Sequence, residues 1–229
     1  MNEFYSFEKR SPSGRTQKYV QGQCKQCTKA RTTELNRKAA SIRAARARAA
    51  YRSLRESALE VYGSSCHICG ERELTFLCID HIRDDGASNR KGIAGKFRSF
   101  YAWLKHVDYP EGLQTLCENC NFKKEMSRRE MTQSKQIKKR CVMLMYGGEC
   151  ACCGQSDPQT LQIDHVNGNG SAHRKTIRAG DIYAFLAARD VSPDYQILCA
   201  NCNRAKQVLG ACPHYVARRF DTMLIIGLC

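Results

Sequence analysis

The sequence predicts an α+β protein in which two tandem copies of a small zinc-stapled module are joined by basic helices. Three observations support this prediction: an internal repeat, five C-x-x-C pairs, and stretches rich in alanine, lysine and arginine. The chain has 229 residues, which is enough for two or three small domains.

The repeat consists of two aligned blocks. CHICGERELTFLCIDH (66–81) matches CACCGQSDPQTLQIDH (150–165) at an offset of 84 positions, and FYAWLKHVDYPEGLQTLCENCNFKK (100–124) matches IYAFLAARDVSPDYQILCANCNRAK (182–206) at an offset of 82. Each copy reads C-x-x-C, I-D-H, an aromatic segment and L-C-x-N-C-N-x-x-K. This pattern predicts a duplicated structural unit, with module 1 over 58–124 and module 2 over 142–214.

The 15 cysteines favour zinc over disulfides, because paired spacing is atypical of secreted scaffolds and the polar N-terminus does not resemble a signal peptide. We expect two structural Zn²⁺ ions, each held by four thiolates. The predicted ligands are Cys66, Cys69, Cys117 and Cys120 for the first zinc, and Cys150, Cys153, Cys199 and Cys202 for the second.

Two other cysteine-containing segments bear on metal binding. Cys24 and Cys27 form half a site, whose other half is missing, has decayed or comes from another chain. For Cys212 and His214 we expect a packed turn rather than a metal site. The apolar run MLIIGL is too short to span a bilayer, so we expect a cytoplasmic protein with no membrane partner.

Local patterns predict the elements of each module. β-Branched runs predict strands over Leu77–His81 and Leu161–His165, paired with second strands over Leu113–Leu116 and Tyr195–Leu198. Aromatic and leucine spacing predicts helices over Phe100–His106 and Ile182–Arg189, and another helix begins around each last C-x-x-C. The segments RDDGASNRKG and NGNGSAHRKT are expected to be polar loops.

The net charge of +15 favours a polyanionic partner, with DNA the expected one. A basic helix is predicted over 34–62 and a basic linker helix over 125–146, between a partial zinc-ribbon-like segment (1–33) and a C-terminal tail (215–229). Residues 31–55 carry eight Lys or Arg against one acid, so we expect Arg43, Arg46 and Arg48 to contact phosphates. A merely solvated charged helix is the alternative.

Each repeat also carries an Asp-His pair and an asparagine after the last cysteine, namely Asp80-His81 with Asn121 and Asp164-His165 with Asn203. Carboxylate and amide oxygens suit a hard cation such as Mg²⁺ or Mn²⁺. An adjacent imidazole can deprotonate water. Because neighbours on a strand point to opposite faces, the Asp and His should project differently.

The pattern C-x-x-C … D-H … C-x-x-C-N resembles the HNH (ββα-metal) endonucleases, above all the phage endonuclease VII type. The segments DHVNGNGSAHRKT, ILCANCNRAK and GACPH strengthen this likeness. The resemblance implies a ββα-metal fold in each module and one catalytic divalent ion per module. That ion would be bound by Asp80 and Asn121, or by Asp164 and Asn203, and a host-cell cytoplasmic location would follow for a phage protein.

The resemblance further implies that His81 and His165 act as general bases and that the ion stabilises the leaving 3′ oxygen. Gly112 and Asp194 depart from the family, since many members have asparagine before the second strand. Repeat 2 carries His173 where repeat 1 has Asn89. We therefore expect repeat 2 to be the better catalyst, with His173, Lys206 and Lys124 contacting substrate.

The expected function is a metal-dependent DNA endonuclease. The alternatives are a catalytically weak or inactive zinc protein that binds nucleic acid, and a zinc-stapled protein-interaction domain. The oligomeric state stays open at this stage.

Overall fold

A computed structural model describes residues 3–129, 131–177 and 181–214, apart from the side chains of Gln21, Gln23 and Arg90. The predicted tail over 215–229 lies outside the described residues. The chain divides into two compact units, residues 1–55 and residues 56–229. The α+β class is confirmed, because small antiparallel sheets alternate with helices in both units.

The first unit is a β-hairpin followed by most of a long helix. Strands β1 (Phe4–Arg10) and β2 (Thr16–Cys24) pair antiparallel, and the rings of Phe7 and Tyr19 stack across them at 5.7 Å. Helix α1 spans Lys25–Tyr62, beginning nine residues before the predicted start at 34. No glycine or proline separates Lys25 from residue 34, so nothing in the sequence stops the helix from extending.

The second unit contains both repeats, and each repeat has the same order of elements. Repeat 1 contains β3 (Leu77–His81), α2 (Gly86–Ile93), α3 (Phe100–His106), β4 (Leu113–Cys117) and α4 (Glu118–Arg128). After α5 (Gln133–Met145), repeat 2 contains β5 (Leu161–His165), α6 (Gly170–Thr176), α7 (Ile182–Ala187), β6 (Tyr195–Cys199) and α8 (Ala200–Leu209).

Each repeat is built on one antiparallel ribbon. Strands β3 and β4 pair with Leu77 opposite Cys117, and strands β5 and β6 pair in the same register with Leu161 opposite Cys199. The first strands match their predicted bounds, and the second strands extend one residue further, to the cysteine. The zinc-ligand candidate therefore ends the strand and directly precedes the helix.

Three helix predictions need correction. The two polar segments are wrong as loops, because α2 and α6 occupy them. The predicted linker helix over 125–146 is two helices, since Arg129 is extended (φ −85°, ψ 112°) and α5 begins after Thr132. Helix α7 ends at Ala187, two residues before Arg189, whose guanidinium instead donates to the Phe185 carbonyl at 2.7 Å.

The two repeats share one hydrophobic core. Buried side chains from both copies form a single cluster that contains Leu59, Phe76, Leu77 and Leu116 from the first part of the unit, Met143 from α5, and Leu161, Ile197, Leu198 and Ala205 from repeat 2. The repeats thus fold as one body within this unit.

An approximate two-fold relation links the repeats where α4 meets α8. The backbone N–H of Asn119 donates to Oδ1 of Asn201 at 2.8 Å, and the N–H of Asn201 donates to Oδ1 of Asn119 at 3.0 Å. Amides in the first turn of a helix have no partner within that helix. Each asparagine therefore caps the helix of the other repeat, as equivalent residues do in a symmetric dimer.

No helix among the described ranges has the length and apolar character needed to cross a bilayer.

We predict that Asn201→Ala lowers the free energy of unfolding by about 1–3 kcal/mol, because it leaves the N–H of Asn119 without its acceptor. Asn119→Ala should have a similar effect. Urea denaturation of zinc-loaded protein measures the change. The control is Asn36→Ala on the exposed part of α1, which should be neutral or slightly stabilising. Wild-type stability in both variants would show that the reciprocal caps contribute nothing.

Candidate functional site

Two clusters of four cysteines lie at equivalent places in the repeats. In each cluster all four Sγ atoms are within 4.8 Å of one another. The Sγ atoms of Cys69 and Cys117 are 3.7 Å apart, and those of Cys153 and Cys199 are 3.8 Å apart. Thiolates around a tetrahedral zinc ion are separated by roughly 3.8 Å. Both predicted ligand sets are therefore brought together and could hold a structural metal such as zinc.

Each first C-x-x-C pair forms a turn that is fastened to the ribbon. The N–H of Gly70 donates to the Cys66 carbonyl at 2.9 Å, and Gly70 takes the left-handed φ of 76° that closes this turn. The N–H of His67 then donates to the Thr115 carbonyl of β4 at 2.9 Å. Ala151 makes the same bond to Ile197 in repeat 2, so turn, strand and helix meet at each cluster.

By contrast, Cys24 and Cys27 remain a pair. The N–H of Cys27 donates to the Cys24 Sγ at 3.4 Å at the start of α1. Neither belongs to a group of three or more metal-binding side chains within residues 3–129, 131–177 and 181–214.

The carboxylates of Asp80 and Asp164 face the helix that follows the second strand. The Lys124 ammonium on α4 donates to Asp80 Oδ2 at 2.6 Å and to the His81 carbonyl at 2.6 Å. Gln114, which lies opposite Asp80 in the ribbon, donates to the same Oδ2 at 3.0 Å.

Repeat 2 has the same arrangement. Lys206 donates to Asp164 Oδ2 and to the carbonyls of His165 and Val166 at 2.7 and 2.9 Å, and Gln196 donates to Asp164 Oδ2 at 2.8 Å. These bonds all end on Oδ2, which leaves Oδ1 as the oxygen for a cation. The two lysines, predicted as substrate contacts, thus hold the aspartates.

The electrostatics of Lys124 follow from this pairing. Burial lowers the lysine pKa, but the bonds to Asp80 and Asp84 outweigh it, so the pKa of Lys124 is raised. The ammonium is charged at neutral pH and offsets the Asp80 carboxylate. Such a counter-ion orients the carboxylate and also weakens its attraction for a second cation.

In repeat 2 the asparagine predicted as a metal ligand, Asn203, bonds to two glutamines. Asn203 Nδ2 donates to Gln162 Oε1 at 2.7 Å, and its Oδ1 accepts from Gln207 at 3.2 Å. Gln162 is two positions before Asp164 and so shares its face of the strand. For the Asn203 Oδ1 to bind an ion together with Asp164, it must leave Gln207. Asn121 and Asn203 both line a cleft of about 210 Å³ between α4 and α8.

The imidazoles lie on the opposite side of the ribbons, against α2 and α6. A Cβ on Gly86 would lie 2.8 Å from the His81 Nδ1, and one on Gly170 would lie 2.9 Å from the His165 Nδ1. Real Cβ atoms do not approach so closely, so glycine is required where each helix begins. Gly86 and Gly170 occupy equivalent positions in the two repeats, and this repetition was the only signal of the contact in the sequence.

His165 has a polar partner on its other nitrogen. Its Nε2 lies 2.8 Å from Nδ1 of His173, whose ring packs edge-on against Phe185 at 4.8 Å. The His165 ring also packs against Tyr195 at 4.9 Å. Burial lowers the pKa of His165, and the nearby His173 lowers it further, so the neutral imidazole is favoured. A neutral, oriented imidazole can accept a proton from water.

His81 lacks such a partner. Its Nε2 is buried and makes no hydrogen bond to any described residue. The ring lies 5.5 Å from that of Phe100 and lines a cleft of about 500 Å³ together with Arg83, Asp85 and Asn89. Asn89 stands where repeat 2 has His173, so the two repeats differ on the imidazole side.

The turn after His81 also differs from its counterpart. Asp84 takes a left-handed φ of 62°, which is unfavourable for most residues, whereas its equivalent Gly168 has φ 69° without that cost. The Asp84 carboxylate pairs with Lys124 at 2.8 Å and with Arg128 at 3.3 Å. Repeat 1 has Asp84 and Asp85 where repeat 2 has Gly168 and Asn169, and two cations thus neutralise the first of these acids.

The predicted phosphate contacts belong to the first unit. Arg43, Arg46 and Arg48 lie on α1, and every residue from 40 to 53 is exposed. Seven Lys or Arg and no acid occur between 37 and 55. This part of α1 therefore offers positive charge on all of its sides.

No protein-family model, curated protein or solved structure matches this chain.

We predict that Gly86→Ala lowers the free energy of unfolding by about 1–3 kcal/mol, because the new methyl group meets the His81 imidazole at 2.8 Å. Gly92→Ala is a matched control in the same helix, since its Cβ would meet nothing within 4 Å. The control should be neutral or stabilised, because alanine is the better helix former. Thermal denaturation compares the two, and equal stability of both variants would contradict the packing argument.

Proposed function

We propose that this chain is a metal-dependent DNA endonuclease of the HNH type, with zinc in its two four-cysteine clusters. The observation that supports it most is the duplicated Asp-His pair. In both repeats the aspartate is fixed through Oδ2 by a lysine and a glutamine, and the histidine is fixed against a helix that begins with glycine. If the Asp-His pair had no function, we would not expect both repeats to support the aspartate and the histidine in the same way.

The oxygen atoms available in repeat 2 suit a divalent cation that takes few ligands from the protein and most from substrate and water. Asp164 offers Oδ1, and Asn203 offers its Oδ1 once it leaves Gln207. Mg²⁺ commonly takes one or two protein oxygens and completes its shell with phosphate oxygens and water. Such an ion would supply charge stabilisation at the scissile phosphate. The chain itself would hold the carboxylate and present the base.

His165 is the proposed general base. Its pKa is lowered by burial, so it is unprotonated at neutral pH, and His173 fixes the ring through Nε2. A base that is oriented by a third group is the usual arrangement for activating a nucleophile. His81 has no equivalent orienting partner among the described residues, which supports the proposal that repeat 2 is the stronger centre.

The second candidate is a catalytically weak or inactive zinc protein that binds nucleic acid. The ammonium of Lys206 favours it, because it already neutralises Asp164 and competes with a metal for that carboxylate. Both candidates use α1 as a phosphate-binding surface. Metal-dependent strand cleavage distinguishes them.

We predict that zinc-loaded protein nicks supercoiled plasmid in Mg²⁺ or Mn²⁺ and does not when those ions are omitted. Omission is preferable to chelation, because a chelator also strips structural zinc. His165→Ala should reduce the nicking rate about 10²–10⁴-fold by removing the base. His81→Ala should have a smaller effect.

The matched control is His67→Ala, an exposed histidine on the first cysteine turn, which should leave nicking unchanged. Equal losses in His81→Ala and His165→Ala would refute the proposed asymmetry. Binding of DNA with no metal-dependent nicking by wild type would refute the endonuclease in favour of the second candidate.

We predict that replacing Arg43, Arg46 and Arg48 together with glutamine weakens DNA binding at low salt. Each lost phosphate contact reduces the slope of log affinity against log salt by about 0.9, so the triple variant should lose up to about three such increments. Fluorescence anisotropy at several salt concentrations measures this slope. The triple Arg→Lys variant keeps the charge and should keep the slope, whereas an unchanged slope in the glutamine variant would exclude α1 from the interface.

A further inference from the structure

Repeat 2 holds a third group of metal-binding side chains that shares one member with its four-cysteine cluster. The ligand atoms of Cys152, Cys202, Cys212 and His214 all lie within 4.8 Å of one another. Cys202 belongs to both groups. The sequence favoured a packed turn for Cys212 and His214, but the turn carries both side chains to the cluster.

Chain geometry explains how this group assembles. Helix α8 ends at Leu209, and Gly210 takes the left-handed φ of 79° that reverses the chain. Cys212 then returns to the interior, where it is 5% exposed. The His214 ring lies 5.1 Å from the buried Phe76, which fixes it over the shared core. Cys152 lies inside the C-x-x-C turn of Cys150 and Cys153.

The distances match those around a tetrahedral ion. His214 Nδ1 lies 3.4 Å from the Cys202 Sγ and 3.7 Å from the Cys212 Sγ. A zinc ion bound to nitrogen and sulfur at its usual bond lengths separates them by roughly 3.5 Å. An imidazole nitrogen aimed at two sulfurs is not explained by cysteines that merely fill apolar space.

We propose that Cys152, Cys212 and His214 bind an additional zinc ion, with the Cys202 thiolate bridging it to the zinc of the four-cysteine cluster. Binding releases the protons of the Cys152 and Cys212 thiols, and neutral His214 binds through Nδ1. Six thiolates around two zinc ions carry the same net charge as four thiolates around one. Sharing Cys202 therefore adds a metal without adding buried negative charge.

The first repeat is an internal control for this site. Its equivalent of Cys152 is Ile68, which is 62% exposed. No cysteine or histidine follows Cys120 before Cys141, so the sequence offers no counterpart of Cys212 and His214 there. Among the residues that the structure describes, repeat 1 therefore has the four-cysteine group alone. The additional ion would stiffen the start of α8 in repeat 2, next to Asn203, without a counterpart in α4.

Cadmium NMR of the full chain, loaded with a magnetically active isotope, tests the bridge. Two metals that share a thiolate show metal–metal coupling, whereas the cluster of repeat 1 gives an uncoupled resonance. We expect one coupled pair in wild type, and in Cys152→Ser we expect that coupling to vanish while the uncoupled resonance remains. Resonances with no coupling in wild type would overturn the shared site.

Metal analysis of zinc-loaded variants gives an independent measurement. Cys152→Ser and His214→Ala should each contain one zinc ion per chain fewer than wild type. Cys141→Ser, an exposed cysteine outside all three groups, should match wild type. Cys24 and Cys27 are present in every variant, so any metal they bind cancels in the difference. Wild-type zinc content in both test variants would overturn the proposal, and neither measurement depends on nuclease activity.

Discussion

A two-stranded ribbon with five residues in each strand is only marginally stable in water, and each repeat of this protein is built on one such ribbon. Four sulfur atoms meet where the ribbon ends, where the next helix begins and where a tight turn folds back. A metal at this point would crosslink all three elements. The positions of Lys124 and Lys206, and hence of the aspartates they hold, depend on this junction, because each lysine lies about one helical turn after the last cysteine of a cluster.

The two repeats agree on one side of the ribbon and differ on the other. On the carboxylate side, aspartate, glutamine and lysine form the same contacts in both repeats. On the imidazole side, His165 has a histidine partner, whereas the Nε2 of His81 makes no hydrogen bond to the described residues. The support of the two histidines therefore differs between the repeats, while the lysine and glutamine contacts that fix the carboxylate are common to both.

The sequence was most informative where periodicity and duplication coincide. Strands β3 and β5 match their predicted bounds because a short apolar run leading to Asp-His appears twice. Helices α2 and α6 were missed because their glycine, asparagine and aspartate content is typical of loops, and the contact that selects Gly86 and Gly170 is tertiary. The cysteine clusters could be predicted from the spacing of the cysteines. The pairing of Lys124 and Lys206 with the aspartates could not, although the sequence shows that this lysine is repeated. The Asn119–Asn201 contact depends on how the copies pack, which no local pattern encodes.

The reciprocal asparagine caps resemble the contacts between the two subunits of a homodimer, although both repeats belong to a single polypeptide. In a true homodimer every substitution appears on both sides at once, and the partners separate on dilution. Here the halves stay together at any protein concentration, and each can mutate alone. That freedom accounts for how the two halves could come to differ at equivalent positions, with His173 and Cys152 in one half and Asn89 and Ile68 in the other.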